Sequence, residues 1–427
     1  MTKKRISGYA LLYAVFVMAI VAVFCTSVIM ASYYRKQIFI QYEKEFQLQL
    51  DVLSGINIYL ANNKVFDNSG IQTINLSTDN NERIVCVETK PWGVYSLVTA
   101  EAEWKNIKKR KVVLTAYDPI QSENVALYLA DHDRALTVCG NTRISGTAYL
   151  PETGIERGYI EGQNYLNEKL LYGTRKKSNK SVPDAEDFAK FIQKQMNPTS
   201  DEIAKMIVLD YSFLAKDTVI RAFYDSTLIL YSESTIRLNK KLLKGNIVVF
   251  SKKGIEISKD AKLNDVLLCA PFIKIEKEFA GNIQAIARDS IRVEKECSLR
   301  FPSSLSLIDI DLRAGQKQHT FNIGEKCNIE GAVFLYVKNA LETTSPPIIS
   351  IGKETEVKGQ IFSNGLIELK GNVQGSVCCE SFILTTSSSA YRNALLNSSI
   401  EFEKLPKGYG FMDVQMKGGT KKVIKWY

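Results

Sequence analysis

The chain has 427 residues, 45% of them hydrophobic, and a formal net charge of +9 with both signs spread along its length. That size allows two or three domains, and that composition excludes wholesale disorder. Basic residues scattered among acids, with no dense basic and aromatic patch, argue against a nucleic-acid partner, and eight cysteines without a C-x-x-C spacing argue against a zinc site.

Lys3, Lys4 and Arg5 precede a run, residues 9–34, that carries no charge. A helix crosses a bilayer with roughly 20 apolar residues, so this run predicts a membrane anchor contacting lipid through Leu11, Leu12, Val15, Phe16, Ile20, Val23 and Phe24. A signal peptide has an apolar core of about 7–15 residues and a small-residue cut site; this run is longer and lacks such a site. Phe24 before Cys25 is the wrong residue for a lipoprotein cut. The leading cations predict a cytoplasmic amino terminus. The expected location is the inner (cytoplasmic) membrane, single-pass, with a periplasmic or extracellular ectodomain. Beyond Tyr34, apolar residues recur near 3.6 spacing at Ile38, Phe39 or Ile40, Tyr42, Phe46, Leu50, Leu53, Ile56 and Leu60. With no proline before Pro91, one helix is predicted from about Tyr9 to Leu60, within a leader and anchor region spanning residues 1–62.

The segment Lys3-Lys-Arg-Ile-Ser-Gly8 followed by Tyr9-Ala-Leu-Leu12 resembles the leader of bacterial type IV prepilins and type II secretion pseudopilins. The resemblance implies cleavage between Gly8 and Tyr9 by a prepilin peptidase, and neighbouring pilin-like subunits as partners. Most pilins carry glutamate five residues into the mature chain, where this sequence has Tyr13. The resemblance is therefore to large minor, PilX-like subunits and tip pseudopilins, some of which lack that glutamate.

Residues 63–121 read as a small antiparallel, pilin-like sheet. Val94–Trp104 and Lys111–Tyr117 alternate and are rich in β-branched and aromatic residues, joined by the polar link Asn106–Arg110.

Residues 122–405 read as a parallel β-helix, making the fold mainly β. Ile236-Arg-Leu238, Ile255-Glu-Ile257, Ile273-Lys-Ile275 and Ile291-Arg-Val293 share one pattern, with starts 19, 18 and 18 residues apart. Short apolar strands lie between them (247–251, 266–270 and 283–287). Such a period predicts stacked coils that bury one continuous core. The pattern returns at Cys327–Phe334, Thr355–Phe362 and Ile367–Val377, with glycine at corners that need positive φ. An echo at Cys139–Tyr149 puts the start near residue 122. These lines resemble the bactofilin type of right-handed β-helix. A helical insertion is expected at about 165–215, where Pro183 and Asp184 open a helix of about 12 residues with Phe188, Phe191 and Ile192 on one face. Residues 406–427 read as a tail that caps the last coil.

Parallel β-helices often host enzymes that act on polysaccharide. Asp309, Asp311 and Arg313 are placed by alternation on one outward face, where two carboxylates and a cation suit acid–base work on a sugar. Charged residues on solvent-facing strand positions are also ordinary. His132, between Asp131 and Asp133, reads as a polar turn; no metal or cofactor is expected, and no G-x-S-x-G, Walker or Rossmann motif occurs. The expected function is non-catalytic: a membrane-anchored minor pilin- or pseudopilin-like subunit displaying a β-helical head for assembly, adhesion or secretion. Polysaccharide is a further candidate partner beside the lipid bilayer. The alternatives are an anchored β-helix enzyme acting on polysaccharide and a bactofilin-like self-assembling scaffold.

Overall fold

Helix α1 runs unbroken from Gly8 to Ala61. The computed structural model describes residues 8–61, 70–76, 83–119, 123–198, 203, 206–211, 217–311, 319–342, 345–412, 414 and 419–427. The basic leader residues Lys3, Lys4 and Arg5, and Arg313, lie outside them. At 1.5 Å per residue α1 is about 80 Å long, well over twice a hydrocarbon core of about 30 Å. It is long and apolar enough to cross a membrane, and none of its most apolar stretch is buried in the protein.

The last turns of α1 pack on an antiparallel sheet of β1 (Ile71–Asn75), β2 (Ile84–Trp92), β3 (Tyr95–Trp104), β4 (Ile107–Tyr117) and the carboxyl-terminal strand Lys421–Trp426, in that order. Leu48, Val52, Ile56 and Tyr59 are buried against Val85, Val87, Val98, Ala100 and Val113. The predicted stripe was displaced: of its members only Ile56 is fully buried, while Phe39, Tyr42, Phe46 and Leu50 stay exposed. The reason is close approach at Gly55, where a Cβ would sit 2.7 Å from Val85 Cγ1. The helix meets the sheet along the side carrying Gly55, not along its aromatic row. Buried Asp51 is held there by Arg83 and by Gln47 Nε2 at 2.9 Å.

The predicted hairpin forms, but its polar link is shorter than expected. Trp104 pairs with Ile107, and Lys105 takes a positive φ of 53° in a two-residue turn. The alternation thus runs on through Lys108–Arg110.

The carboxyl-terminal tail buries Phe411 in the core of the parallel system and then joins the antiparallel sheet. Lys421 pairs with Tyr117 and Trp426 with Val113, so the chain ends as a strand of the antiparallel sheet.

Most of the remaining chain forms a closed, parallel sheet system with a few added strands. The apolar–charged–apolar triads stack in register: Ile236 on Ile255, Ile273, Ile291, Phe321, Ile349, Ile367 and Phe382, all pointing into one core. Their central residues face solvent, where Arg237 Nε lies 2.9 Å from Glu256 Oε2 and Lys274 Nζ lies 2.9 Å from Glu294 Oε1. Exposed pairs of this kind contribute little, so Glu256→Gln is expected to lower stability by less than about 1 kcal/mol in a denaturant titration.

Order along this stack is not order along the chain. Strand Asn372–Thr385 pairs on one side with Glu356–Leu369 and on the other with Val125–Leu129, through Val377 with Leu127 and Cys378 with Tyr128. Thr147–Leu150 and Arg175–Lys177 follow outward. The echo at Cys139–Tyr149 therefore lies beyond the last of the carboxyl-terminal repeats, which it covers.

One outer face of the parallel system is apolar, with Val248, Leu267, Ile286, Phe334 and Phe362 buried in a second core. The antiparallel sheet covers it through Trp92, Leu97, Val112 and Leu114. The result is three layers: α1, antiparallel sheet, parallel sheet. Helix α2 (Glu186–Gln193) lies on the same apolar face, its Phe188 ring edge-on to Phe334 at 5.3 Å. It is shorter than predicted because a 3₁₀ turn, Lys194–Met196, takes over at its end.

Candidate functional site

The anchor residues Leu11, Leu12, Val15, Phe16, Ile20, Val23 and Phe24 are each more than half exposed. The helix containing them begins at Gly8, and Tyr9 and Tyr13 are likewise exposed. Nothing in the fold competes for this surface. Burial of such a run favours an apolar medium over water.

Asp309 and Asp311 stand at the end of strand Ser298–Asp309. Asp309 Oδ2 lies 3.1 Å from His319 Nε2, and its Oδ1 accepts the Asp311 amide at 3.2 Å. Asp311 Oδ2 accepts a long 3.4 Å bond from Gln193 Nε2 on α2. Among the described residues the Asp309–His319 pair bonds no serine, threonine or cysteine that it might activate as a nucleophile. As placed, the two acids tie a loop and α2 to the strand end.

His132 Nε2 lies 2.9 Å from Glu380 Oε2, while Glu380 Oε1 accepts the Val182 amide at 3.0 Å. Asp131 accepts amides from Glu152 and Asp133, both at 3.0 Å, and these bonds hold its carboxyl below the usual range. Glu380 is thus a strut for the segment leading to α2, and Asp131 ties its own turn to Glu152. Among the described residues no three His, Cys, Asp or Glu side chains gather as a metal site. All eight cysteines are free thiols; Cys25 and Cys86 are exposed and the other six buried.

One feature that sequence reasoning missed is a cleft of about 630 Å³ where α1, the antiparallel sheet and α2 meet. Tyr59 lines it from α1. Strand alternation puts Thr89, Ser96, Thr115 and Tyr117 on the α1 side of the sheet, and Phe188, Phe191 and Lys194 come from the α2 segment. Lys421 joins from the last strand, its Nζ 4.8 Å from the Tyr59 ring and 5.8 Å from the Tyr117 ring. Gln195 fixes the α2 side by bonding both the amide and the carbonyl of Gly93, each at 2.8 Å. Only the Phe188–Phe191 face was readable beforehand; the other walls come from four distant segments. No protein-family model matches the chain, and neither a curated protein nor a solved structure matches it significantly.

Proposed function

We propose that this chain is a membrane-anchored, non-catalytic assembly subunit of the minor pilin or pseudopilin type, with a parallel β-helical head carried outside the cytoplasm. The observation that carries this reading is the continuity of α1: an apolar, uncovered first half and a second half packed on a small antiparallel sheet. An anchor alone needs no rigid extension into the sheet. A subunit handed from membrane to filament does, because the same helix must serve lipid first and protein neighbours afterwards. The exposed row of Phe39, Tyr42, Phe46 and Leu50 supports it, since these side chains lie beyond the charge-free run and stay exposed among the described residues. The β-helical description rests on parallel pairing between successive triads and on their shared inward core. The enzymatic alternative lacks a comparable observation, because Asp309 and Asp311 are engaged as ties.

The test is processing. In cells containing a prepilin peptidase, the mature protein is expected to begin at Tyr9, and Gly8→Glu to leave residues 1–8 attached. Intact-mass measurement of membrane-extracted protein reads both. Wild-type protein that keeps residues 1–8 in such cells would sink the proposal.

A further inference from the structure

We infer that the cleft between α1, the antiparallel sheet and α2 is a binding site for an acidic saccharide. This goes beyond the anchored-subunit reading and does not depend on it, because the cleft is built by the folded body alone. Its volume of about 630 Å³ falls within the roughly 300–1,000 Å³ of small-ligand sites.

Its walls carry Lys190, Lys194 and Lys421 against Asp184 and Asp187, a small net positive charge that favours an anion. Lys194 and Lys421 have no carboxylate partner among the described residues, whereas Lys190 is held by Glu186 at 3.0 Å, which raises its pKa. An ammonium that holds no carboxylate binds an incoming one more strongly at the edge of a cleft than in open water. The rings select a flat, partly apolar body. Phe188 and Phe191 lie nearly parallel with centroids 6.2 Å apart, and Tyr59 and Tyr117 also line the cleft, with Lys421 over both rings. Hydroxyls select a hydroxylated one. Ser96 and Thr115 line the wall, Thr115 Oγ1 donating to the Ser96 carbonyl at 3.1 Å, and Thr89 Oγ1 is buried there without a hydrogen-bond partner among the described residues. A buried polar atom of that kind costs free energy until something satisfies it.

A phosphate fits less well. Among the described residues the site has no arginine, and the α2 amino terminus is already occupied by Asp184, whose Oδ1 accepts the Glu186 amide at 2.9 Å. A sugar ring bearing a carboxylate answers all three features: the carboxylate toward the lysines, C–H faces on the rings, hydroxyls toward the threonine and serine wall.

The experiment uses the full chain in a polyoxyethylene detergent, which has no sugar headgroup to compete. Tri-galacturonic acid, its methyl ester, and tri-glutamate are compared by equilibrium dialysis and saturation-transfer NMR. Tri-galacturonic acid is expected to bind, and the uncharged ester at least roughly tenfold more weakly. Lys194→Gln and Lys421→Gln are each expected to weaken binding roughly tenfold. The melting temperature should stay within about 2 °C, because neither lysine holds a carboxylate among the described residues. Thr89→Val should leave the free protein equally or more stable while weakening binding. The inference is overturned by any of three results: no binding of tri-galacturonic acid up to about 10 mM, equal binding of tri-glutamate, or lysine variants with unchanged affinity.

Discussion

Gly359→Ala is expected to destabilise the parallel sheet by on the order of 3–5 kcal/mol, a large share of the stability of an ordinary domain. Gly359 adopts φ +143°, a region that a side chain strains, and a Cβ there would lie 1.7 Å from the Gly331 carbonyl oxygen. Its neighbours are no freer. Gly331 has φ +137° with Ser303 O at 1.9 Å from its own ideal Cβ, and Gly375 has φ +147° with Gly359 O at 1.9 Å. Because Gly331, Gly359 and Gly375 are register partners, the clash cannot be relieved by tilting one strand. Adjacent strands would have to part beyond their spacing of about 4.8 Å, breaking ladders on both sides. Gly408 is the control, since a Cβ there meets nothing within 4 Å, and Gly408→Ala should change stability by less than about 0.5 kcal/mol. Denaturant midpoints of the two variants, read by circular dichroism, decide the matter. A Gly359→Ala protein that unfolds at the wild-type midpoint would show that the corner is not packed as described.

The same glycines illustrate what was legible beforehand. Each precedes an apolar run, and the repeated glycine–x–apolar pattern at 331, 359 and 375 marked a corner that recurs. The triads were legible for a related reason: period-two alternation and a fixed spacing report a local pleat and a local rise, both written in neighbouring residues. The spacing fails between Ile291 and Phe321, and again before Ile349, although these residues stack directly. Extra chain enters at the corners there, and periodicity cannot see across it.

Long-range closure left no such trace. Nothing in Leu127 or Val377 states that they pair, since any apolar strand residue is a sufficient partner for any other. Pairing of the earliest repeats with the last is set by which edges remain open once the middle has stacked. The cleft was hidden similarly. Thr89, Thr115 and Lys421 are unremarkable strand residues until three chain segments align them. The α1 stripe failed differently: two apolar rows wind along one helix, and the sheet chose the row that carries Gly55. A small residue that permits close approach outweighed the larger aromatic row.

Loss of the Asp265 carboxylate is expected to be the next most damaging single change, because it undoes the clasp that holds the end of the chain on the parallel sheet. Asp265 is buried and takes φ +58°, a conformation that aspartate and asparagine tolerate better than most residues. Its two oxygens accept from Lys425 Nζ at 2.6 and 2.8 Å, and the Tyr427 hydroxyl donates to it at 3.3 Å. Burial first, and Asp265 second, push the Tyr427 hydroxyl pKa up, so it remains a donor throughout the neutral range. Around this centre the Tyr427 ring stacks on Phe223 at 3.9 Å, and the Tyr224 hydroxyl donates to the Tyr427 carbonyl at 2.8 Å. Asp265→Ala leaves a half-buried ammonium and a buried phenol without an acceptor, which costs about 2–3 kcal/mol. Asp265→Asn keeps the backbone preference and one acceptor, and should cost about 1 kcal/mol. Pairing Asp265→Ala with Lys425→Met should restore part of the loss, since the cation left unpaired is then gone. Beyond the melting temperature, limited proteolysis supplies the discriminating readout: residues 421–427 of Asp265→Ala should be trimmed at a temperature where the wild type resists. Wild-type resistance together with an unchanged melting temperature would mean that the sheet layers are held by their apolar contact alone.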